Sequence, residues 1–132
     1  MHNSSKELQL LYKISQTISS RQQNISELLN EVLKILENEM GVLRGTLTLR
    51  KPGSDILNIE ASSGLSAKEK ERGQYQLGEG ITGRVAKTGK IEIISDIQKN
   101  KDFLNRTKAR HDEHSSFICV PIVHHKEIIG TI

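Results

Sequence analysis

The chain has little of what several functional classes require. Its 132 residues include one cysteine, Cys119, so no internal disulfide can form and no cysteine pair exists to hold zinc or an iron–sulfur cluster. A reducing, cytoplasmic setting is the expectation. Tryptophan is absent, and the aromatic residues are Tyr12, Tyr75, Phe103 and Phe117, too few for a surface that stacks successive bases of a single strand. The longest apolar run, Phe117 to Val123, is broken by Pro121 and falls far short of a membrane span. The first five residues carry no apolar segment of an export signal. Charge of one sign is modest, +3 with a pI of about 9.1, and by itself makes no case for nucleic acid.

What is present suits one soluble domain spanning residues 1–132: 35% hydrophobic and 27% charged residues can bury a core at this length. The positive charge is concentrated. From Gln98 to His111 the chain carries Lys99, Lys101, Arg106, Lys108 and Arg110 against Asp102 alone, a local +4. Arg106 and Arg110, four residues apart, could take a carboxylate or phosphate through bidentate guanidinium forks.

Hydrophobic periodicity sets the expected elements. Residues 6–20 read as a helix, with Leu8, Leu10, Leu11, Tyr12, Ile14 and Ile18 covering more of its circumference than one core stripe needs. The excess fits equally a frayed terminal helix with a few exposed leucines and a dimer contact through Leu8, Leu11, Tyr12 and Ile18. Asn24-Ile25-Ser26-Glu27 reads as a capping box opening a helix over 25–40, which Gly41 closes in the left-handed conformation. From Val42 the period becomes two, and Lys51-Pro52-Gly53-Ser54-Asp55 is turn chemistry between two strands of a hairpin. Ser66 with Glu69 is a second capping box, before a short charged helix. A glycine-rich loop, a short helix from Arg84 to Lys87 and a strand at Ile91–Ile94 should follow. Two last strands, Phe117–Ile122 and Glu127–Ile132, flank a turn at His124-His125-Lys126. Helices followed by a hairpin, a crossover and more strands predict an α+β fold with a mainly antiparallel sheet. The sheet and crossover occupy 42–132, and the chain stops inside a strand pattern, as an excised fragment would.

The motifs argue against catalysis. Gly78-Glu79-Gly80-Ile81-Thr82-Gly83 has the spacing G-x-G-x-x-G but lacks both the ending of a phosphate-binding P-loop and a βαβ context. His111, His114, His124 and His125 sit in polar segments without helical spacing, so no metal is expected. Cys119 in an apolar strand reads as a buried small hydrophobe. No nucleophile motif or paired carboxylate meets the first requirement of an active site, so the chain reads as a non-enzyme without a cofactor.

Taken in order, Leu77-Gly78-Glu79-Gly80-Ile81-Thr82-Gly83-Arg84-Val85-Ala86, Ser95-Asp96-Ile97, Phe103-Leu104-Asn105-Arg106-Thr107 and Ser116-Phe117-Ile118-Cys119-Val120-Pro121-Ile122 resemble a GAF domain. The last two segments resemble in particular the amino-terminal GAF domain of NifA-type activators of nitrogen fixation. The resemblance implies a PAS-related antiparallel sheet of about six strands flanked by helices, a ligand pocket, and a homodimer formed through terminal helices. It implies a parent in which a regulatory sensor controls an AAA+ ATPase acting on RNA polymerase with the nitrogen sigma factor. A helix-turn-helix domain would bind DNA there, so this domain is expected to touch no nucleic acid itself and no membrane. The expected ligand is a small anion, 2-oxoglutarate first, with Arg106, Lys108, Arg110, Phe103, Asp96, Thr82 and Phe117 as candidate contacts. A regulatory protein of NifL type is a further possible partner. Two alternatives remain open, a dimerisation or protein-interaction module without a small ligand and a cyclic-nucleotide-binding GAF domain. For the latter, Asn100-Lys101, Phe103 and Asp112-Glu113 match the residue types of that signature with a longer gap.

Overall fold

The structure, a computed structural model, describes residues 4–19, 24–41, 44–63, 65–97 and 116–132. They divide into two compact units, Met1–Thr46 with Ala61–Gly64, and Leu47–Glu60 with Leu65–Ile132.

The first unit contains two 16-residue helices, α1 (Ser4–Ser19) and α2 (Ile25–Met40), packed on each other. In α1, Leu10, Ile14 and Thr17 are half-buried, and the Lys13 ammonium pairs with the Glu39 carboxylate. At the start of α2 the Asn24 side chain accepts the Glu27 N–H at 2.9 Å, and Glu27 does not return the bond, so the expected box is a one-sided cap. Gly41 closes the helix at φ +70, donating to the Glu37 carbonyl. Leu33 is buried against Gly45, where an added Cβ would lie 2.8 Å from Leu33 Cδ2. Met40, the last residue of α2, is exposed.

Strands β1 (Thr46–Arg50) and β2 (Ile56–Ser62) form the expected hairpin, with Gly53 at φ +71 in its turn. Arg50 secures the turn, donating to the Ser54 carbonyl and pairing with Asp55 at 2.9 Å. At the far end of β2, the Ser62 N–H donates to Asn30 Oδ1 at 3.2 Å, giving a partner to a strand group that would otherwise be unsatisfied.

In the second unit, α3 (Ala67–Arg72) carries the full reciprocal capping box of Ser66 and Glu69, and none of its residues is buried. After β3 (Gln74–Gln76) comes α4 (Gly80–Thr88), stopped by Gly89 at φ +72. This corrects the expected helix start at Arg84, because the glycine motif is itself the first turn. Gly83 has no room for a side chain, since a Cβ there would land on the Gln76 carbonyl oxygen.

The remaining strands are β4 (Glu92–Ile94), β5 (Phe117–Cys119), β6 (Pro121–His124) and β7 (Glu127–Thr131). Among the described residues, seven strands form a five-stranded sheet in the order β3-β2-β1-β7-β6 and a ribbon of β4 with β5. The expected run from Phe117 to Ile122 divides at Val120. That residue exchanges both backbone hydrogen bonds with Ile132, at 2.8 and 2.9 Å, while its neighbours on one side pair with β4 and on the other with β7. One extended run therefore serves both sheets. The core of this unit is Ile81 and Val85 of α4 with Cys119 of β5, and Ile94 and Phe117 pack against them.

Candidate functional site

Alternation along β1 and β7 sends Thr48 and Thr131 to one side, where they are buried directly opposite each other. Their hydroxyls lie 2.7 Å apart, and the Thr131 N–H donates to Thr48 Oγ1 at 3.2 Å. Thr82, buried in the first turn of α4, and Thr131 both hydrogen-bond the Cys119 thiol. Four buried polar side chains from β1, α4, β5 and β7 thus satisfy one another, as their burial requires.

Burial pushes the Cys119 pKa up to about 11, the Thr131 and Thr82 hydrogen bonds oppose the shift, and the Glu92 charge adds to it. A buried thiol so strongly protonated at neutral pH is a poor nucleophile. Glu92 itself meets Arg84 of α4 through two contacts, 2.6 Å from Nε and 2.5 Å from Nη2, a bidentate pair that ties α4 to β4. Among the described residues no group of His, Cys, Asp and Glu is disposed to hold a metal.

Of the residues expected to contact a ligand, Thr82 belongs to this polar cluster, and Phe117 packs with Ile94 on the Ile81, Val85 and Cys119 core beside it. Asp96 is half-buried two residues beyond β4. Phe103, Arg106, Lys108 and Arg110 lie outside the described residues, as do His111 and His114. The ends of the connection that carries them are fixed, because Ile94 and Phe117 are directly paired in the ribbon. The expected dimer residues Leu8, Leu11, Tyr12 and Ile18 are 56–68% exposed on α1. Sequence reasoning missed Thr48, Thr131 and the Arg84–Glu92 pair. For the threonines the signal was the period-two placement in β1 and β7, which could have put them on one face only once those strands were known to be neighbours.

An antiparallel sheet with a glycine-opened helix and a basic connection between the two strands of a ribbon defines a class of small α+β domains. The chain belongs to the GAF domain family, whose profile matches residues 22–132. It is homologous to Azotobacter vinelandii nitrogen fixation proteins AnfA and VnfA, with 38% and 40% identity over 129 residues, 96% and 95% of this chain. A Nif-specific regulatory protein of the same organism is 39% identical over 119 residues, 88% of the chain. The chain spans about a quarter of the length of these relatives, 24%, 24% and 22% respectively.

Among solved structures, the A. aeolicus nlh2 GAF domain in an inactive state superposes with a TM-score of 0.82 at 27% identity, covering 97% of this chain and 77% of that one. The GAF domain of a phosphoenolpyruvate-protein phosphotransferase from Coxiella burnetii gives 0.85 at 20% identity over 98% of this chain and 77% of that one, a likeness of fold. The Azotobacter vinelandii relative at 39% identity is a Nif-specific regulatory protein. No described helix is long and apolar enough to cross a membrane.

Proposed function

We propose that the chain is the ligand-sensing GAF domain of a nitrogen-fixation transcriptional activator, one that controls an attached AAA+ ATPase working with the nitrogen sigma factor. The observation that carries the reading is the similarity to Nif-type regulators at 38–40% identity over nearly the whole chain. The ligand is a small dicarboxylate, 2-oxoglutarate, held by the guanidinium groups of Arg106 and Arg110 with Lys108 adding charge. The local +4 supports this chemistry. So does the pairing of Ile94 with Phe117, which ties both ends of the basic connection to the ribbon on which α4 packs. Ligand binding shifts a population of helix arrangements, and the ATPase responds to that shift.

Isothermal titration tests the assignment. 2-Oxoglutarate should bind the chain, and Arg106→Ala or Arg110→Ala should weaken binding at least tenfold. Equal affinity in the two variants and the parent chain would defeat it, and selective binding of cyclic GMP would transfer the reading to the cyclic-nucleotide alternative.

A second reading is favoured by α1, where Leu8, Leu11, Tyr12 and Ile18 leave an apolar stripe exposed. In it the domain is a homodimerisation module, and a NifL-type protein is a further partner. Leu11→Lys should then convert a sedimenting dimer to a monomer, and an unchanged mass would remove α1 from the interface.

A further inference from the structure

The ribbon of β4 and β5 has one face covered and one face bare. Ile94, Phe117 and Cys119 turn toward α4, where they join Ile81 and Val85. Successive strand residues point to opposite faces, so Ile93 and Ile118, which are directly paired, project to the other side. They are 71% and 59% exposed, and Ile91, two places before Ile93, is 59% exposed. Val120 and its hydrogen-bonded partner Ile132, both half-buried, extend the same row. No charged residue interrupts it.

The ribbon has the sequence of a structure buried on both sides. A strand with one face in water alternates apolar and polar residues, as β2 does through Leu57-Asn58-Ile59-Glu60-Ala61. Phe117-Ile118-Cys119-Val120 and Ile93-Ile94 are apolar at every position. A single exposed isoleucine needs no explanation, whereas three that adjoin on an uncharged sheet face mark a surface that another element covers. An amphipathic helix suits it, because a sheet face receives the apolar stripe of a helix, as the opposite face of this ribbon receives α4.

Polypeptide to supply such a helix exists in the relatives. This chain spans 24% of AnfA, and the nlh2 GAF domain, which superposes on 97% of this chain, is itself matched over 77% of its length. Ile132 exchanges both backbone bonds with Val120, two residues from Ile118. In a longer relative, the residues after the counterpart of Ile132 therefore start beside this face.

We propose that the outer face of the β4–β5 ribbon docks an amphipathic helix from the part of a Nif-type regulator that lies carboxy-terminal to this domain. Its apolar stripe lies on Ile91, Ile93 and Ile118, and the ribbon is held between that helix and α4.

Two proteins carry the test. One is the 132-residue chain, and the other is the same chain extended from Ile132 by the AnfA segment that directly follows its matched portion, about 30 residues, enough for a turn and a helix of about 30 Å. Amides of the added segment should exchange at least tenfold more slowly than in the same segment as a free peptide. Ile93→Lys and Ile118→Lys should each abolish that protection. In the 132-residue chain both substitutions should leave the urea midpoint unchanged, since these side chains already lie in water. Val123→Lys is the control and should preserve the protection. Val123 is 57% exposed but pairs with Ile128, which lies against Gly89 at the end of α4 on the other face.

An added segment that exchanges as freely as the peptide, or protection that survives both lysine substitutions, would overturn the proposal. So would a 132-residue chain that sediments as a dimer and becomes a monomer with Ile118→Lys, which would assign the face to a second copy.

Discussion

Gly83 and Cys119 show how single side chains decide this structure. At Gly83 the first turn of α4 passes so close to β3 that a Cβ would overlap the Gln76 carbonyl oxygen, and backbone on both sides leaves nothing flexible to yield. Gly83→Ala should therefore destabilise the domain by about 1–3 kcal/mol, the usual cost of overpacking, read as a lower urea midpoint at unchanged m-value. Cys119 makes a pH prediction. Its folded pKa, about 11, lies above the ordinary value of 9.0, so the unfolded chain loses the thiol proton first. Below pH 9 the thiol contributes no pH dependence, and stability should fall as pH rises from about 9 to about 11. Cys119→Ala should flatten that part of a stability–pH profile, although the lost methylene-sized volume lowers its level. A slope unchanged in the variant would show that other groups cause it.

Helices and strands were legible in the sequence where their signals are local. The Gly41 cap, the Ser66 box and the Pro52-Gly53 turn each act over four or five residues, and all three are present. The start of α4 was not legible. Closely spaced glycines lower helix propensity, yet the turn forms because α4 buries Ile81 and Val85 and because only glycine fits beside Gln76. The division of the Phe117–Ile122 run was not legible either, since Val120 changes partner between ribbon and sheet and no local residue marks the change. The threonine cluster depends on β1 lying next to β7, more than eighty residues away, as the Thr48–Thr131 bond requires. At the candidate ligand site, charge and arginine spacing were legible, whereas the partners of Thr82 and Phe117 were not.

The pair that ties α4 to β4 yields an element-scale prediction. Arg84 and Glu92 retain partial exposure, 37% and 22% of their side chains, so solvent weakens the attraction relative to a fully buried pair. Glu92→Gln should cost about 1–2 kcal/mol in chemical unfolding, less than the loss from a fully buried pair. The β6–β7 turn should respond in the opposite direction. His125 and Lys126 occupy positive φ, +48 and +64, as a two-residue hairpin loop of type I′ demands. Lys126→Gly should stabilise by about 0.5–1 kcal/mol, because glycine takes this conformation without Cβ strain. A lowered melting temperature would mean that the lysine side chain contributes more than its backbone costs.

For the whole molecule, the family sets the frame, an α+β GAF domain related to Nif-type regulators. Two surfaces divide the proposed work. In the sensor reading the basic connection between paired Ile94 and Phe117 would receive the ligand, and in the second reading the exposed apolar residues of α1 would meet a second copy. A ligand that binds only the folded domain must raise its stability by an amount set by concentration over affinity, about 2.7 kcal/mol at a hundredfold excess. In a domain of this size that is a shift of several degrees. Thermal unfolding of the 132-residue chain with millimolar 2-oxoglutarate, against succinate and cyclic GMP, therefore tests the sensor reading most directly. The account predicts a rise with 2-oxoglutarate that exceeds both controls and disappears in Arg106→Ala. An identical midpoint in all three, or a rise that survives the substitution, would contradict it.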